Sequence, residues 1–167
     1  MEAKKIRRAL ATFFYTGYSP VAPGTCASIL SAGFYLLIAY GCPCCLDVAV
    51  GILVATTFAA NIWVGGWAQK AFGEKDPQKV VIDEALGFFT AVFLISGPQP
   101  WLIAVIALVL FRVFDIAKPF PIRYLEKFRG GWGIALDDFG AGIAANLIFR
   151  IGLLIYVALD ASQRGLL

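Results

Sequence analysis

Five apolar runs dominate this chain, over approximately 27–40, 46–68, 85–97, 101–117 and 139–159. Short connections rich in glycine, proline or charge separate them, and there is no repeat, low-complexity tract or interdomain linker. The pattern predicts an all-α fold, a compact multi-helix bundle forming a single domain over residues 1–167. Only the second and fifth runs reach the ~20 residues that cross a bilayer. A thirteen-residue helix covers about 20 Å of a ~30 Å hydrocarbon core. The first, third and fourth runs are therefore expected to be re-entrant, to extend into their polar flanks, or to thin the bilayer locally.

Composition moves the bundle into the lipid bilayer. Hydrophobic residues make up 60% of the chain and charged residues 15%, against ~45–50% and ~25% in ordinary soluble domains. Mean hydropathy is +0.79. The basic N-terminus, MEAKKIRRALATFF, does not lead into an apolar run with a small-residue cleavage site, so the helices themselves are expected to hold the protein in the membrane. A net charge of +3, with basic residues interspersed among acids, leaves no footprint for nucleic acid.

The basic residues set an orientation. With Lys4, Lys5, Arg7 and Arg8 in the cytoplasm and the runs threaded alternately, the connections GCPCC and SGPQP fall outside without a positive charge. Lys70, Lys75, Lys79, Lys118, Arg123, Lys127 and Arg129 fall inside, together with Asp83, Glu84, Asp115, Asp137 and Asp138. Arg150 is the exception. It stands midway along the fifth run, where it must pair, snorkel or face the bundle interior.

Missing residue types narrow the chemistry. The chain has no histidine, which removes Ser-His-Asp and Cys-His catalysis, phosphohistidine chemistry and imidazole metal ligands. Cys42, Cys44 and Cys45 lack a second Cys/His pair to complete a zinc tetrahedron, so CPCC reads as turn filling.

Three polar clusters are flanked by apolar sequence. They are VVIDEALGFF with Asp83 and Glu84, FRVFDIAKPFPIR with Arg112, Asp115, Lys118 and Arg123, and IALDDFGAG with Asp137 and Asp138. Ionisable groups at membrane depth are costly and so point to a site. Asp83, and Asp137 or Asp138, stand just before apolar runs, where a carboxylate can cap a helix and meet its dipole. A cap needs one carboxylate, whereas two successive helix starts carry two each, with Asp115 as a fifth. Such a concentration of like charge calls for a cation, and hard oxygen donors without histidine suit Mg²⁺ rather than zinc.

Arg112, Asp115 and Lys118, at i, i+3 and i+6, share one broad helical face. They form either an internal salt-bridge ladder or a phosphate clamp in which Asp115 orients both cations. Pro119 and Pro121 end that face. In GYSPVAPGTCASIL, Pro20 and Pro23 stiffen the approach to a turn at Gly24, and Thr25 or Ser28 can cap the helix that follows. The free N–H groups at such a helix start make an anion site.

Together, SPVAPGT at 19–25, IDE at 82–84, FRVFDIAKPFPI at 111–122 and GGWGIALDDFGAG at 130–142 resemble the phosphatidylglycerophosphatase A family in motif order and spacing, across about residues 10 to 160. The resemblance implies a Mg²⁺-dependent enzyme of the bacterial inner (cytoplasmic) membrane, its active site on the cytoplasmic side. Its reaction would convert phosphatidylglycerophosphate to phosphatidylglycerol and inorganic phosphate. Carried over by motif, Pro23, Gly24, Thr25, Ser28, Arg112 and Lys118 would bind substrate. Asp83, Glu84, Asp115, Asp137 and Asp138 would be catalytic, with Glu84, Asp137 and Asp138 holding the metal. Ala27 and Ala135 replace the family's frequent Gly and Met, and the first is expected to reshape the phosphate pocket slightly.

The nucleophile stays open between water activated by Mg²⁺ and an aspartate, Asp115 or Asp138, that forms a phosphoaspartate. The chain lacks the DxDx[TV] signature of the second route. A cation transporter would also carry acids in membrane helices, but here they gather on one face beside phosphate-suited Arg and Lys. A CDP-alcohol-type transferase would need a DxxDGxxAR…GxxxD pattern that the chain does not contain. The small residues of GAGIAAN, at 140–146, let helices approach closely, within the bundle or in a homo-oligomer.

Overall fold

A computed structural model describes residues 2–74, 77–125, 128 and 131–164. Lys75, Lys127 and Arg129, expected on the basic side, and Gly130 of the last motif lie outside the described residues. The described residues form α1 (Glu2–Ala11), α2 (Pro23–Gly41), α3 (Leu46–Phe72), α4 (Ile82–Val92), α5 (Pro100–Ala117), α6 (Ile122–Leu125) and α7 (Gly131–Gln163), and contain no strand. The all-α expectation holds.

Helices α2, α3, α5 and α7 are long and apolar enough to cross a membrane. The first and fourth runs reach that length by growing into their flanks, α2 to 19 residues from Pro23 and α5 to 18 from Pro100. A proline in the first turn costs no intrahelical bond and presets φ, so both helices start where the sequence looks least helical. The third run stays short: α4 has 11 residues, about 16 Å.

α4 is short because it is interior. It packs against α2, α3, α5 and α7, and every residue from Ala85 to Val92 is buried. Its closest partner is α7, where a Cβ on Gly142 would overlap the Gly87 carbonyl oxygen and the Thr90 side chain. The small-residue stripe of GAGIAAN is thus used within the chain.

Because α4 ends inside the bundle, its last carbonyls need donors. Asn146 on α7 supplies them: its Nδ2 donates to the carbonyls of Ala91 at 3.0 Å and Phe93 at 2.9 Å. Arg150, one turn on, donates from Nη2 to the carbonyls of Phe93 at 3.1 Å and Leu94 at 2.9 Å, and from Nε to Asn146 Oδ1 at 2.7 Å. Its charge meets the negative end of the α4 dipole. Of the three expectations for Arg150, pairing toward the bundle interior is the one observed. Asn146→Leu is expected to leave these groups unsatisfied and cost about 1–3 kcal/mol, read as a lower unfolding midpoint in detergent. An unchanged midpoint would show that the α4 end does not depend on this clamp.

Two features fall outside the five runs. The basic N-terminus folds as α1, with the Arg7 guanidinium 5.1 Å from the Trp63 ring centroid. Its end is tied to the start of α4 where the Val81 N–H donates to the Ala11 carbonyl at 3.0 Å. CPCC forms a 3₁₀ turn, Pro43–Cys45, between α2 and α3.

Candidate active site

The starts of α2, α4 and α7 and the ends of α3 and α5 meet at one end of the bundle around a cavity of about 400 Å³. Pro23, Gly24, Thr25, Asp83, Glu84, Arg112, Asp115, Lys118, Asp137 and Asp138 line it. All four motifs therefore converge. Ser28 stands behind the wall, fully buried, and its Oγ donates to the Gly24 carbonyl at 3.0 Å and to Glu84 Oε2 at 3.3 Å. Ala27 and Ala135 are also fully buried and do not line the cavity. The expected reshaping of the pocket by Ala27 is not seen.

Capping works differently from the sequence expectation. The N-cap of α2 is Ala22, in the left-handed conformation and without a side-chain cap bond, while Thr25 and Ser28 lie inside the helix. The Cys26 N–H donates to the Ala22 carbonyl at 3.0 Å, which leaves the N–H groups of Gly24 and Thr25 ahead of the first α-helical bond. Gly24 permits the closest approach in the site, because a Cβ there would overlap the Glu84 carboxylate. Asp83 sits in the first turn of α4 and accepts the Glu84 N–H at 3.0 Å.

Asp137 and Asp138 are not caps at all. α7 begins at Gly131, which puts them about two turns inside the helix. The glycines that read as a loop are helical because Gly131 packs directly onto the backbone of Asn61 and Ile62 on α3. Tertiary contact overrides their weak propensity.

Arg112 pairs both along its own helix and across to α4, whereas Lys118 pairs across to α7. Arg112 Nη1 bridges to Asp115 Oδ2 at 2.9 Å and also to Glu84 Oε2 on α4. Lys118 lies just past the end of α5, in the left-handed region at φ 39°. From there its Nζ reaches Asp137 Oδ2 on α7 at 2.7 Å. Asp115 thus orients Arg112, and Asp137 holds Lys118; of the internal ladder only the Arg112–Asp115 rung is seen among the described residues.

Asp138 is left at the centre. It is 5% exposed, has no hydrogen bond or ion pair among the described residues, and feels the charges of Asp83, Asp115, Glu84 and Asp137. Burial pushes the neighbouring Glu84 carboxyl up from its ordinary range, against the hydrogen bond and charge of Arg112. Among the described lining residues, five carboxylates face two cations.

A buried acid with no direct hydrogen bond or ion pair among the described residues, in an oxygen-only donor set where Arg112 is shared with Glu84 and Asp115, fits a hard divalent cation. The carboxylates are not drawn into a closed cage. Among the described residues only Cys42, Cys44 and Cys45, in the turn between α2 and α3, bring three ligand atoms within 4.8 Å of one another. An open arrangement suits Mg²⁺, which usually keeps several waters and binds through one or two carboxylates and substrate phosphate. Sequence reasoning missed Gln69, Gln78, Phe128 and Ile134, which also line the cavity. Gln69, Gln78 and Phe128 belong to none of the motifs, and Ile134 is an apolar member of the last one; all four arrive by position on converging helix ends and connections.

The protein-family model described as Phosphatidylglycerophosphatase A matches residues 9–153. The chain is 34% identical over 145 residues to a protein of Bacteroides thetaiotaomicron named putative phosphatidylinositol-3-phosphatase, covering 85% of this chain and 90% of that one. It is 32% identical to phosphatidylglycerophosphatase A of Escherichia coli, over 86% of this chain and 81% of that one. With the Haemophilus influenzae protein of the same name it shares 36% identity over 83% of each chain. No solved structure matches.

Proposed function

Since the chain belongs to the phosphatidylglycerophosphatase A family and is by that membership a phosphatase, we propose that it removes the terminal phosphate of phosphatidylglycerophosphate, releasing phosphatidylglycerol, and that it needs Mg²⁺ to do so. The observation that carries the reading is the charge balance of the cavity. Arg112 and Lys118 are suited to phosphate oxygens, yet five carboxylates outnumber them, so a phosphate dianion enters only with a further cation.

Glu84, Asp137 and Asp138 would hold that cation, with Asp138 the one of the three that makes no hydrogen bond or ion pair among the described residues. When bound, Mg²⁺ supplies charge neutralisation and lowers the pKa of water. The chain's own residues do the rest. Arg112, kept in place by Asp115, and Lys118, kept by Asp137, take the equatorial phosphate oxygens. Ser28 holds the Glu84 carboxylate against the α2 start. A water oxygen attacks phosphorus in line, its proton passes to a cavity carboxylate, and the phosphorus–glycerol oxygen bond breaks. The carboxylate returns that proton to the departing glycerol oxygen, so the alcohol leaves neutral and the carboxylate is regenerated.

Lys70, Lys79, Lys118 and Arg123 lie on the connections at the active-site end or on the helix turns that flank them, whereas GCPCC and SGPQP carry no basic residue, which supports an active site facing the cytoplasm. One assay tests the whole reading. Phosphate release from phosphatidylglycerophosphate is expected from purified protein in detergent, lost on chelation with EDTA and restored by Mg²⁺. In sealed membranes, inverted vesicles should hydrolyse added substrate and right-side-out ones should not. No release by the wild-type protein would sink the substrate, activity surviving EDTA would sink the cofactor, and the reverse sidedness would sink the orientation. Phosphatidylinositol 3-phosphate is the comparator; a preference for it would reassign the headgroup.

A further inference from the structure

A second cavity, of about 530 Å³, opens beside the first and shares Pro23, Pro77 and Gln78 with it as common wall. Its one cation among the described lining residues is Lys79. The Lys79 Nζ lies 5.6 Å from the Tyr18 ring centroid and 5.8 Å from that of Phe72, both of which also line the cavity. Glu74 is on the same wall, but no carboxylate among the described residues pairs with Lys79. The backbone beneath is fixed: the Val80 N–H donates to the Pro77 carbonyl at 2.8 Å and the Val81 N–H to the Ala11 carbonyl at 3.0 Å. Three residues after Val81 stands Glu84, in the active site.

The lipid proposed above carries two phosphates, a terminal monoester that is cut and a phosphodiester that stays, joined by a glycerol unit. The main cavity has its two cations committed to the monoester. We infer that the second cavity is a subsite for the retained phosphodiester, with Lys79 as the residue that binds it; this rests on the reading of the main cavity as a lipid phosphatase site. The aromatic faces of Tyr18 and Phe72 hold the ammonium by cation–π attraction without neutralising it, so its N–H donors are available to a phosphate oxygen. Lys79 would thereby favour substrates with an anionic diester next to the scissile monoester over lipids bearing a monoester alone. It touches no reacting atom and acts on specificity.

The test is phosphate release from phosphatidylglycerophosphate in mixed micelles by wild type, K79Q and K79R, with inorganic phosphate as competitive inhibitor. In K79Q the KM is expected to rise about tenfold, the loss of one charge-assisted hydrogen bond, with kcat within about twofold. K79R should recover most of the loss. The inhibition constant for inorganic phosphate should not move, because the free anion fills only the monoester cavity. An unchanged KM in K79Q would overturn the subsite, as would a KM and a phosphate inhibition constant that rise together. A wild-type protein that releases nothing from this lipid sinks the functional reading and the subsite with it, whereas an active wild type with an indifferent K79Q sinks the subsite alone.

Discussion

Asp138→Asn is expected to lower phosphate release by about a thousandfold or more while the protein keeps its fold. Asn matches the shape of Asp, so packing around a side chain that is 5% exposed is retained. What disappears is a carboxylate that has no hydrogen bond or ion pair among the described residues, sits amid Asp83, Glu84, Asp115 and Asp137, and feels Arg112 only at longer range. Removing a buried carboxylate that the four surrounding acids disfavour should leave the metal-free protein as stable as wild type or more so. Wild type should gain stability on adding Mg²⁺, because a cation that binds only the folded state stabilises it by mass action, and the variant should gain much less. Retention of more than about a tenth of the activity would remove Asp138 from the centre of the chemistry. An equal Mg²⁺ response in both proteins would remove it from the metal site.

Arg112→Met is expected to cost both activity and stability, the latter by about 3–5 kcal/mol. Arg112 holds Glu84 and Asp115 at once, and its side chain is 24% exposed against their 15% and 14%. Taking the guanidinium away leaves two mostly buried carboxylates without their partner, which is the costly way to break such a network. Adding Glu84→Gln to Arg112→Met should therefore raise the unfolding midpoint back toward wild type, since one orphaned charge is gone, while phosphate release stays low. Midpoints in detergent and phosphate release, measured on both variants, separate the two effects. A double variant no more stable than Arg112→Met would show that the Arg112–Glu84 pairing is not what that substitution breaks.

Much of the site was legible along the chain because its residues travel in local motifs. PGT, DE, RVFDIAK and DD each put charged or turn-forming groups next to apolar helix, and ten of the eleven candidate residues line the cavity. Ser28 missed the wall because helical periodicity turns it inward, to the Gly24 carbonyl and the Glu84 carboxylate. The even spacing of Arg112, Asp115 and Lys118 misled for a related reason. It presumes that the helix continues to residue 118, but α5 ends at Ala117 and Lys118 takes a left-handed backbone that points it to α7. The alternative that Asp137 or Asp138 caps a helix start fails because glycine reads as a breaker locally, whereas Gly131 is where α7 lies flush on α3.

By itself the sequence determined that this chain makes helices in a membrane, and which charged groups they bring to one end. Apolar run length and the uneven placement of lysine and arginine act through burial and charge, which hardly depend on the details of packing. The tertiary structure alone decided which cation meets which carboxylate, and that Asp138 is the acid left over. It also decided that the third run is an interior half-length helix whose end is closed by Asn146 and Arg150. Those outcomes depend on contacts between residues about 20 to 60 positions apart. They are set by how closely Gly24, Gly87 and Gly142 let the helices approach, and no local pattern along the chain encodes that distance.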